Sequence, residues 1–317
     1  MARTPGGACR GVVIAMIVAA ATLVLTAAPA AAHTVSGSSP TNFSSEILSV
    51  SPSVPGLDLR LLDLGEKVEL TNDTGGDIVV LGDDGKPHLR AGNAGTIKSG
   101  DTARWSDTRT RWEGPNPPAV RAAPDKRHTV GQWTIAMRAG DRPVVATGRI
   151  TWVPGPSAAP WLLAALGLFV LTAALGWRRS WGTALAAALA VLTAVDAVHS
   201  FASALAAGDS ILVTVAKVLG LGFLSTLAWI GGVWAIGRLQ GKEELGLLVA
   251  GISAFVITMY ALGDTSVLGR SQVAYAFPAV AARAAVAVSV GVGLGLVAGI
   301  VVVFKRNPGL IKQATEA

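Results

Sequence analysis

The chain has 317 residues, of which 51% are hydrophobic and 15% are charged, and its mean hydropathy is +0.52. This balance excludes a wholly water-soluble globular protein and predicts a membrane protein with a water-exposed part. The formal net charge of +6 falls largely beside apolar stretches, where positive charge sets membrane topology, so it does not indicate nucleic-acid binding.

The N-terminus has the pattern of a secretory signal peptide over residues 1–32. Basic residues precede an apolar run, and Ala30 and Ala32 stand at the positions that signal peptidase prefers. Cleavage there would make His33 the first residue of the mature chain. It would also remove Cys9, the single cysteine, so the mature chain would form no disulfide and offer no thiolate ligand.

An N-terminal histidine is a ready chelate for copper(II), which favours nitrogen ligands in a tetragonal arrangement. The α-amino group and the imidazole of His33 can both bind without help from the fold. We therefore expect copper binding at the mature N-terminus. The alternative is that signal peptidase is indifferent to the residue after its cleavage site and that histidine stands there by chance.

Residues 33–155 are predicted to form an extracytoplasmic, all-β domain of the Ig-like sandwich type. Short alternating or β-branched runs recur between turn clusters such as 74–77 and 83–85, without a helical period. The proline-rich stretch 114–126 lacks strand character. Residues 153–156 read as a short rigid connector to the first membrane span.

Two further ligand candidates lie in this domain, and each has a simpler explanation. His128 is either a metal ligand brought into a site by the fold or an ordinary loop histidine. Asp107 lies in the run from Trp105 to Trp112, where strand spacing places it on the same face as Arg109. It is either a carboxylate ligand or part of an edge strand in which arginines stack over tryptophan.

Five apolar segments follow, and each is long enough to cross a hydrocarbon core of about 30 Å. They cover residues 160–176, 182–206, 210–236, 245–263 and 279–304. We therefore predict a five-helix transmembrane domain over 160–304 and a cytoplasmic tail over 305–317. Arginine and lysine cluster at alternate segment ends, which places the β-domain outside the plasma membrane and the C-terminus inside.

Charged groups inside these segments predict a polar cluster, because a charge left in hydrocarbon is costly. Asp196 and His199 share one helix face, and Lys217 and Arg283 are expected at similar depth in the outer half of the membrane. The cluster either handles a cation or a proton, or it joins helices through pairing of Asp196 with Lys217 or Arg283. Glycines in the third and fifth segments indicate close helix packing.

Several short motifs resemble copper proteins. His33 followed by Ser38-Ser39-Pro40 resembles the mature start of CopC-type copper-binding β-sandwiches, and Trp229-Ile230-Gly231-Gly232 is similar to a helix motif of CopD-type copper-transport domains. Taken whole, the chain resembles a family of uncharacterised actinobacterial membrane proteins with a signal peptide, a β-domain and five spans. The chain departs from the CopC pattern at Gly140-Asp141-Arg142, where that pattern has Asp-Gly-His.

The resemblance implies extracytoplasmic copper binding or handling, with copper as the cofactor. No nucleophile–base arrangement, zinc motif or phosphate loop is present in the sequence, so we do not expect an enzyme. The expected partners are the lipid bilayer and either a copper chaperone or another envelope membrane protein. The alternative function is that of a structural or accessory envelope protein whose β-domain docks a partner complex, and a second alternative is an enzyme that uses the Asp196 and His199 pocket.

Overall fold

The computed structural model describes residues 38–308, and the predicted signal peptide, His33 and most of the predicted tail lie outside this range. Within it, a β-sheet region is followed by helices, as the sequence predicts. The eight strands of the described residues are β1 (Phe43–Ser51), β2 (Leu57–Leu62), β3 (Lys67–Asn72), β4 (Ile78–Val80), β5 (Thr96–Ile97), β6 (Thr102–Ser106), β7 (His128–Ala139) and β8 (Arg142–Trp152).

These strands form two antiparallel sheets, one in the order β1-β8-β7-β4-β5 and the other in the order β2-β3-β6. Strand β3 illustrates the residue pattern that forms these sheets. Its Val68 and Leu70 are buried and alternate with the more exposed Lys67 and Glu69. Such period-two alternation covers one face of a strand and leaves the other in water. The buried faces of both sheets contribute to one hydrophobic cluster, in which Leu70 contacts the same core as Ile135.

The helices are α1 (Pro118–Ala122), α2 (Ala159–Ala174), α3 (Trp181–Leu205), α4 (Ile211–Leu221), α5 (Phe223–Gln240), α6 (Glu244–Gly263) and α7 (Ala279–Arg306). Helix α1 is a short turn inside the proline-rich stretch. In the described part of the chain, four helical segments are long and apolar enough to cross a membrane: α2 with its extension to Trp177, α3, α6 and α7.

The third apolar segment was predicted as one helix, and this prediction was wrong. It divides into α4 and α5, whose axes are bent by 82°. Gly222 allows the break, since a Cβ at this position would lie only 2.4 Å from the carbonyl oxygen of Val218. The two helices pass the criteria for a span only as a pair, so the described residues contain four candidate spans, or five with the bent pair.

Close packing of the bundle depends on glycines of α7, as the sequence indicates. A Cβ at Gly291 would lie 2.4 Å from the carbonyl oxygen of Ala165 on α2. A Cβ at Gly293 would lie 1.9 Å from the hydroxyl of Thr258 on α6. Because these positions lack side chains, α7 approaches both neighbours at backbone distance.

The loop between α6 and α7 (residues 264–278, the α6–α7 loop) joins the β-domain to the bundle. Thr41 and Gln272 exchange two backbone hydrogen bonds of 3.0 and 2.9 Å. Ser271 donates its backbone N–H to the Asn42 side chain at 2.9 Å and its hydroxyl to the Val153 carbonyl at 2.9 Å. From the bundle side, Arg283 on α7 donates to the carbonyl oxygens of Val267 and Arg270 at 3.3 and 2.7 Å. Hydrogen bonds therefore hold the loop to the β-domain on one side and to α7 on the other.

We expect Gly155→Ala to destabilise this junction. An added Cβ would lie 1.9 Å from the carbonyl oxygen of Gly269, so the connector and the α6–α7 loop would have to move apart. Overpacking of this kind costs about 1–3 kcal/mol. Thermal unfolding of the purified chain in detergent should show a lower Tm. Gly76→Ala is the matched control, because nothing lies within 4 Å of its Cβ position; an equal fall in both variants would contradict the prediction.

Candidate functional site

The three described histidines have different surroundings. His128 begins β7, and its Nε2 lies 2.7 Å from the carbonyl oxygen of Ala123, a contact that fixes the ring against the proline-rich stretch. His88 packs near Trp105, with ring centroids 6.4 Å apart. His199 lies on α3 and faces a carboxylate, because its Nε2 is 3.4 Å from Oδ2 of Asp264. The fourth histidine, His33, lies outside the described residues.

Asp107 has a structural role that strand spacing alone did not predict. Strand β6 ends at Ser106, and Asp107 caps a 3₁₀ turn over Thr108–Thr110. Its carboxylate accepts from Trp105 Nε1 at 3.2 Å and from the backbone N, Nε and Nη2 of Arg109 at 3.1, 2.8 and 2.7 Å. Both carboxylate oxygens therefore already accept protein hydrogen bonds, and a metal ion would have to displace Arg109.

The pKa of Asp107 reflects this pairing. Burial by itself would raise the pKa, but the hydrogen bonds and charge of Arg109, together with the bond from Trp105, outweigh burial and hold the pKa below its usual value. The pKa of Arg109 is raised by the same contact. Asp83 adds a second carboxylate 3.0 Å from Arg109 Nη1. The group is thus a buried ion pair that stabilises the turn after β6.

A group of polar side chains lies at the end of the bundle that faces the β-domain. Asp196 is 4% exposed and accepts from Trp229 Nε1 on α5 at 2.8 Å. One turn further along α3, His199 contacts Asp264 at the end of α6 and lies 5.3 Å from the ring of Tyr275, which belongs to the α6–α7 loop. We call these five residues the Asp196–His199 site.

This site lies below the surface of the bundle and is covered by the loop that holds the β-domain. His199 and Asp196 precede Leu205, where α3 ends, by about 9 and about 14 Å along the helix axis. The backbone N–H of Ala276 donates to the carbonyl oxygen of Ala202 at 3.0 Å and so closes the loop over α3. The same loop therefore contacts both the β-domain and, through Tyr275, His199.

One nitrogen of this site is unusual. Nδ1 of His199 is buried and makes no hydrogen bond within the part of the chain that the structure describes. A buried polar atom without a partner is costly and is uncommon in native structures, so it calls for an explanation such as a bound ion or water. His199 thus has one ring nitrogen near a carboxylate and one that is buried without a hydrogen-bond partner among the described residues.

The two other members of the predicted cluster have different partners. Lys217 Nζ lies 2.5 Å from Oδ2 of Asp209, whose other oxygen lies 3.9 Å from Arg104 on β6. The bend at Gly222 explains this, since it turns α4 away from the axis of α5 and places Lys217 beside the β-domain. Arg283 supports the α6–α7 loop, as described above. Asp196 and His199 thus lie in one site, whereas Lys217 and Arg283 contact residues where the bundle meets the β-domain.

Three residues of the site gave weaker signals in the sequence. Trp229 stands in the Trp-x-Gly-Gly motif, Asp264 follows directly after an apolar segment, and Tyr275 lies in a loop without a pattern of its own. The donor set fits a metal only in part: among residues 38–308, no group of three or more His, Cys, Asp or Glu side chains could hold a metal ion. A metal held at His199 and Asp264 would need a further ligand.

Comparison of the chain with protein-family profiles, with curated proteins and with solved structures gives no match. The class of protein is therefore defined by its own features. It combines a β-sheet domain with several apolar helices of the kind that membrane proteins contain, and it carries a buried polar site where the two meet.

Proposed function

We propose that the chain is a membrane-anchored extracytoplasmic protein that binds and passes on copper. In this proposal the two sheets pack as a β-sandwich outside the plasma membrane, five spans include the bent α4–α5 pair, and the C-terminus is cytoplasmic. The support is the signal-peptide pattern together with Arg178, Arg179, Arg238 and Lys242 at the helix ends away from the β-domain.

The observation that carries the copper proposal is the environment of His199. Nδ1 of His199 and Nδ1 of His88 are both buried without a partner among the described residues, and His199 is distinguished by its second nitrogen, which faces the carboxylate of Asp264. Imidazole is a preferred ligand of copper(II), and a carboxylate neighbour fixes the orientation of a ligating ring. We place the copper site here, with His199 as a ligand and Asp264 as its orienting or ligating carboxylate.

His33 is the proposed further ligand. Ser38 is buried and donates its hydroxyl to Asp63, so the stretch from His33 to Ser38 spans five peptide steps and can reach up to about 17 Å when extended. Thr41 is bonded to Gln272, and Tyr275, three residues further along the α6–α7 loop, contacts His199. Because Thr41 is bonded to the same loop that carries Tyr275, we propose that the mature N-terminus supplies its ligand to the Asp196–His199 site.

We expect His199→Ala to lower the affinity of the mature full-length protein for copper(II) by about tenfold or more, because loss of a ligand exceeds the tenfold cost of losing an outer-shell partner. Copper(II) titration in uncharged detergent measures this. His128→Ala is the matched control, since that ring contacts a backbone carbonyl. Equal affinity of His199→Ala and wild type would refute the site, and equal binding of zinc would refute the preference for copper.

Thiol labelling tests the proposed orientation, with the β-domain outside the membrane and the turn between α2 and α3 inside. We expect an impermeant thiol reagent to label a Ser53→Cys variant in intact cells and a Ser180→Cys variant only after permeabilisation. Both serines are exposed, Ser53 in the β-domain and Ser180 between α2 and α3. The experiment is clean because Cys9 is the single native cysteine and would leave with the signal peptide. Labelling of Ser180→Cys in intact cells would reverse the proposed orientation.

A further inference from the structure

Basic side chains converge at the end of the bundle opposite the β-domain. Arg178 and Arg179 stand in the turn between α2 and α3 and are exposed. Two more basic side chains are hydrogen-bonded to backbone carbonyls of this turn. The carbonyl oxygen of Trp177 accepts from Arg306 Nη1 at 2.5 Å, and that of Arg179 accepts from Lys242 Nζ at 3.4 Å. We call the set Arg178, Arg179, Lys242, Lys305 and Arg306 the basic collar.

Within residues 38–308, the ion pairs formed by the carboxylates beside the collar do not include its side chains. Glu243 lies beside the collar, but its carboxylate pairs with Arg238 at 2.9 Å. Among the described residues, no ion pair involves a side chain of the collar. Five cations gathered round one turn repel one another, so an anion from outside the chain would stabilise this arrangement.

Two features place the collar at headgroup level of the bilayer. Trp177 is 58% exposed, and Trp234 stacks beneath Arg238 with the guanidinium carbon 4.5 Å from the ring centroid. Tryptophan is enriched where hydrocarbon meets water, so these rings mark that boundary. The α2, α3, α6 and α7 helices all begin or end here, and a phosphate at this depth would be attached to a lipid.

The backbone also holds the collar in place. Lys242 has φ of 57°, a left-handed conformation that non-glycine residues adopt infrequently. Its N–H donates to Leu239 O at 2.9 Å, and this turn directs its ammonium group to the carbonyl of Arg179. The N–H of Glu243 donates to Arg238 O at 3.0 Å, and the two bonds together form the Schellman cap that ends α5 and fixes the backbone from which the Lys242 side chain extends.

From these observations we infer that the basic collar is a binding site for the headgroup of an anionic phospholipid. The guanidinium groups of Arg178 and Arg179 would bind the phosphate, and Lys242 and Arg306 would close the site from the α5–α6 turn and from α7. Basic pockets between helix ends bind such headgroups in membrane proteins, and arginine forms bidentate hydrogen bonds with phosphate. The inference is independent of copper and of which leaflet the collar meets.

The test uses the full-length protein in uncharged detergent, with native mass spectrometry to count retained lipid during titration with phosphatidylglycerol, cardiolipin or phosphatidylcholine. We expect retention of the two anionic lipids by the wild type and about tenfold weaker retention by an Arg178→Gln/Arg179→Gln variant. The control is Arg138→Gln/Arg142→Gln, which removes the same charge from two exposed positions in the β-domain.

A Lys305→Gln variant, which leaves the α2–α3 turn intact, should show a smaller loss in the same direction. Three results would overturn the inference: equal retention by the Arg178→Gln/Arg179→Gln variant and wild type, an equal loss in the control, or equal retention of phosphatidylcholine. Displacement of lipid by millimolar inorganic phosphate would assign the collar to free phosphate and would likewise overturn a lipid site.

Discussion

Adding one alanine ahead of His33 is expected to lower the copper(II) affinity of the mature protein by about tenfold or more, which corresponds to about 1.4 kcal/mol. The terminal chelate uses the α-amino group and the imidazole of the same residue, and the extension separates these two nitrogens. Copper(II) titration of the two full-length forms measures the effect. Equal affinities, or N-terminal sequencing that finds a different mature start, would contradict the assignment of His33.

The same extension made in the His199→Ala background shows whether both histidines hold one ion. Changes to ligands of a single site are coupled, so the second change should cost much less than it does in the wild type. Two independent sites would instead give additive losses. Additive losses would therefore separate the N-terminal chelate from the Asp196–His199 site while leaving copper binding itself in place.

Asp107→Asn is expected to give a large loss of stability, about 3 kcal/mol. The Asp107 side chain is 2% exposed and Arg109 is 16% exposed, so the substitution leaves a mostly buried guanidinium without its main carboxylate. Asp83→Asn removes the other carboxylate near Arg109, and its effect should be small because that side chain is 82% exposed. Thermal unfolding of the full chain in detergent distinguishes the two variants, and equal Tm shifts would contradict this account.

The stabilisation by Asp107 should also depend on pH with a defined sign. Its pKa in the folded protein is lowered, so its contribution is fully present above the pKa of the unfolded chain, about 3.9. The contribution is lost as the pH falls through the lower, folded-state pKa. The gap in Tm between wild type and Asp107→Asn should thus stay constant from pH 7 to about pH 5 and narrow below about pH 4. A gap that narrows near neutral pH would contradict the pairing with Arg109.

Local patterns were sufficient to predict most of the secondary structure. The alternation in 67–70 corresponds to β3, and the run that ends at Trp152 corresponds to β8. Long apolar segments likewise fall on α3 and α7. These features are encoded by which residues prefer water and which do not, and neighbours along the chain are enough to reveal them.

The bend at Gly222 could not be predicted in the same way. Every residue from 210 to 236 is compatible with a continuous apolar helix, and the glycines there indicated only close packing. The bent arrangement is accompanied by contacts with residues outside the segment: Lys217 pairs with Asp209, and Asp209 in turn lies near Arg104 of the β-domain. Contacts of this kind override local propensity.

The candidate site was predicted only in part for a related reason. Helical spacing placed Asp196 and His199 on one face because both lie on the same helix. Depth alone suggested Lys217 as their partner, whereas the structure supplies Trp229 and Asp264 from two other helices. Asp264 and His199 are 65 residues apart, so their contact follows from how α3 and α6 pack.

The central claim is that copper(II) is held by His199 at the end of the bundle that faces the β-domain. Electron spin echo envelope modulation of the copper(II)-loaded full-length protein, which detects the remote nitrogen of each bound imidazole, tests it most directly. We predict two imidazoles in the wild type, from His33 and His199, and one in His199→Ala. An unchanged spectrum in His199→Ala, with the same number of bound imidazoles as the wild type, would contradict the claim.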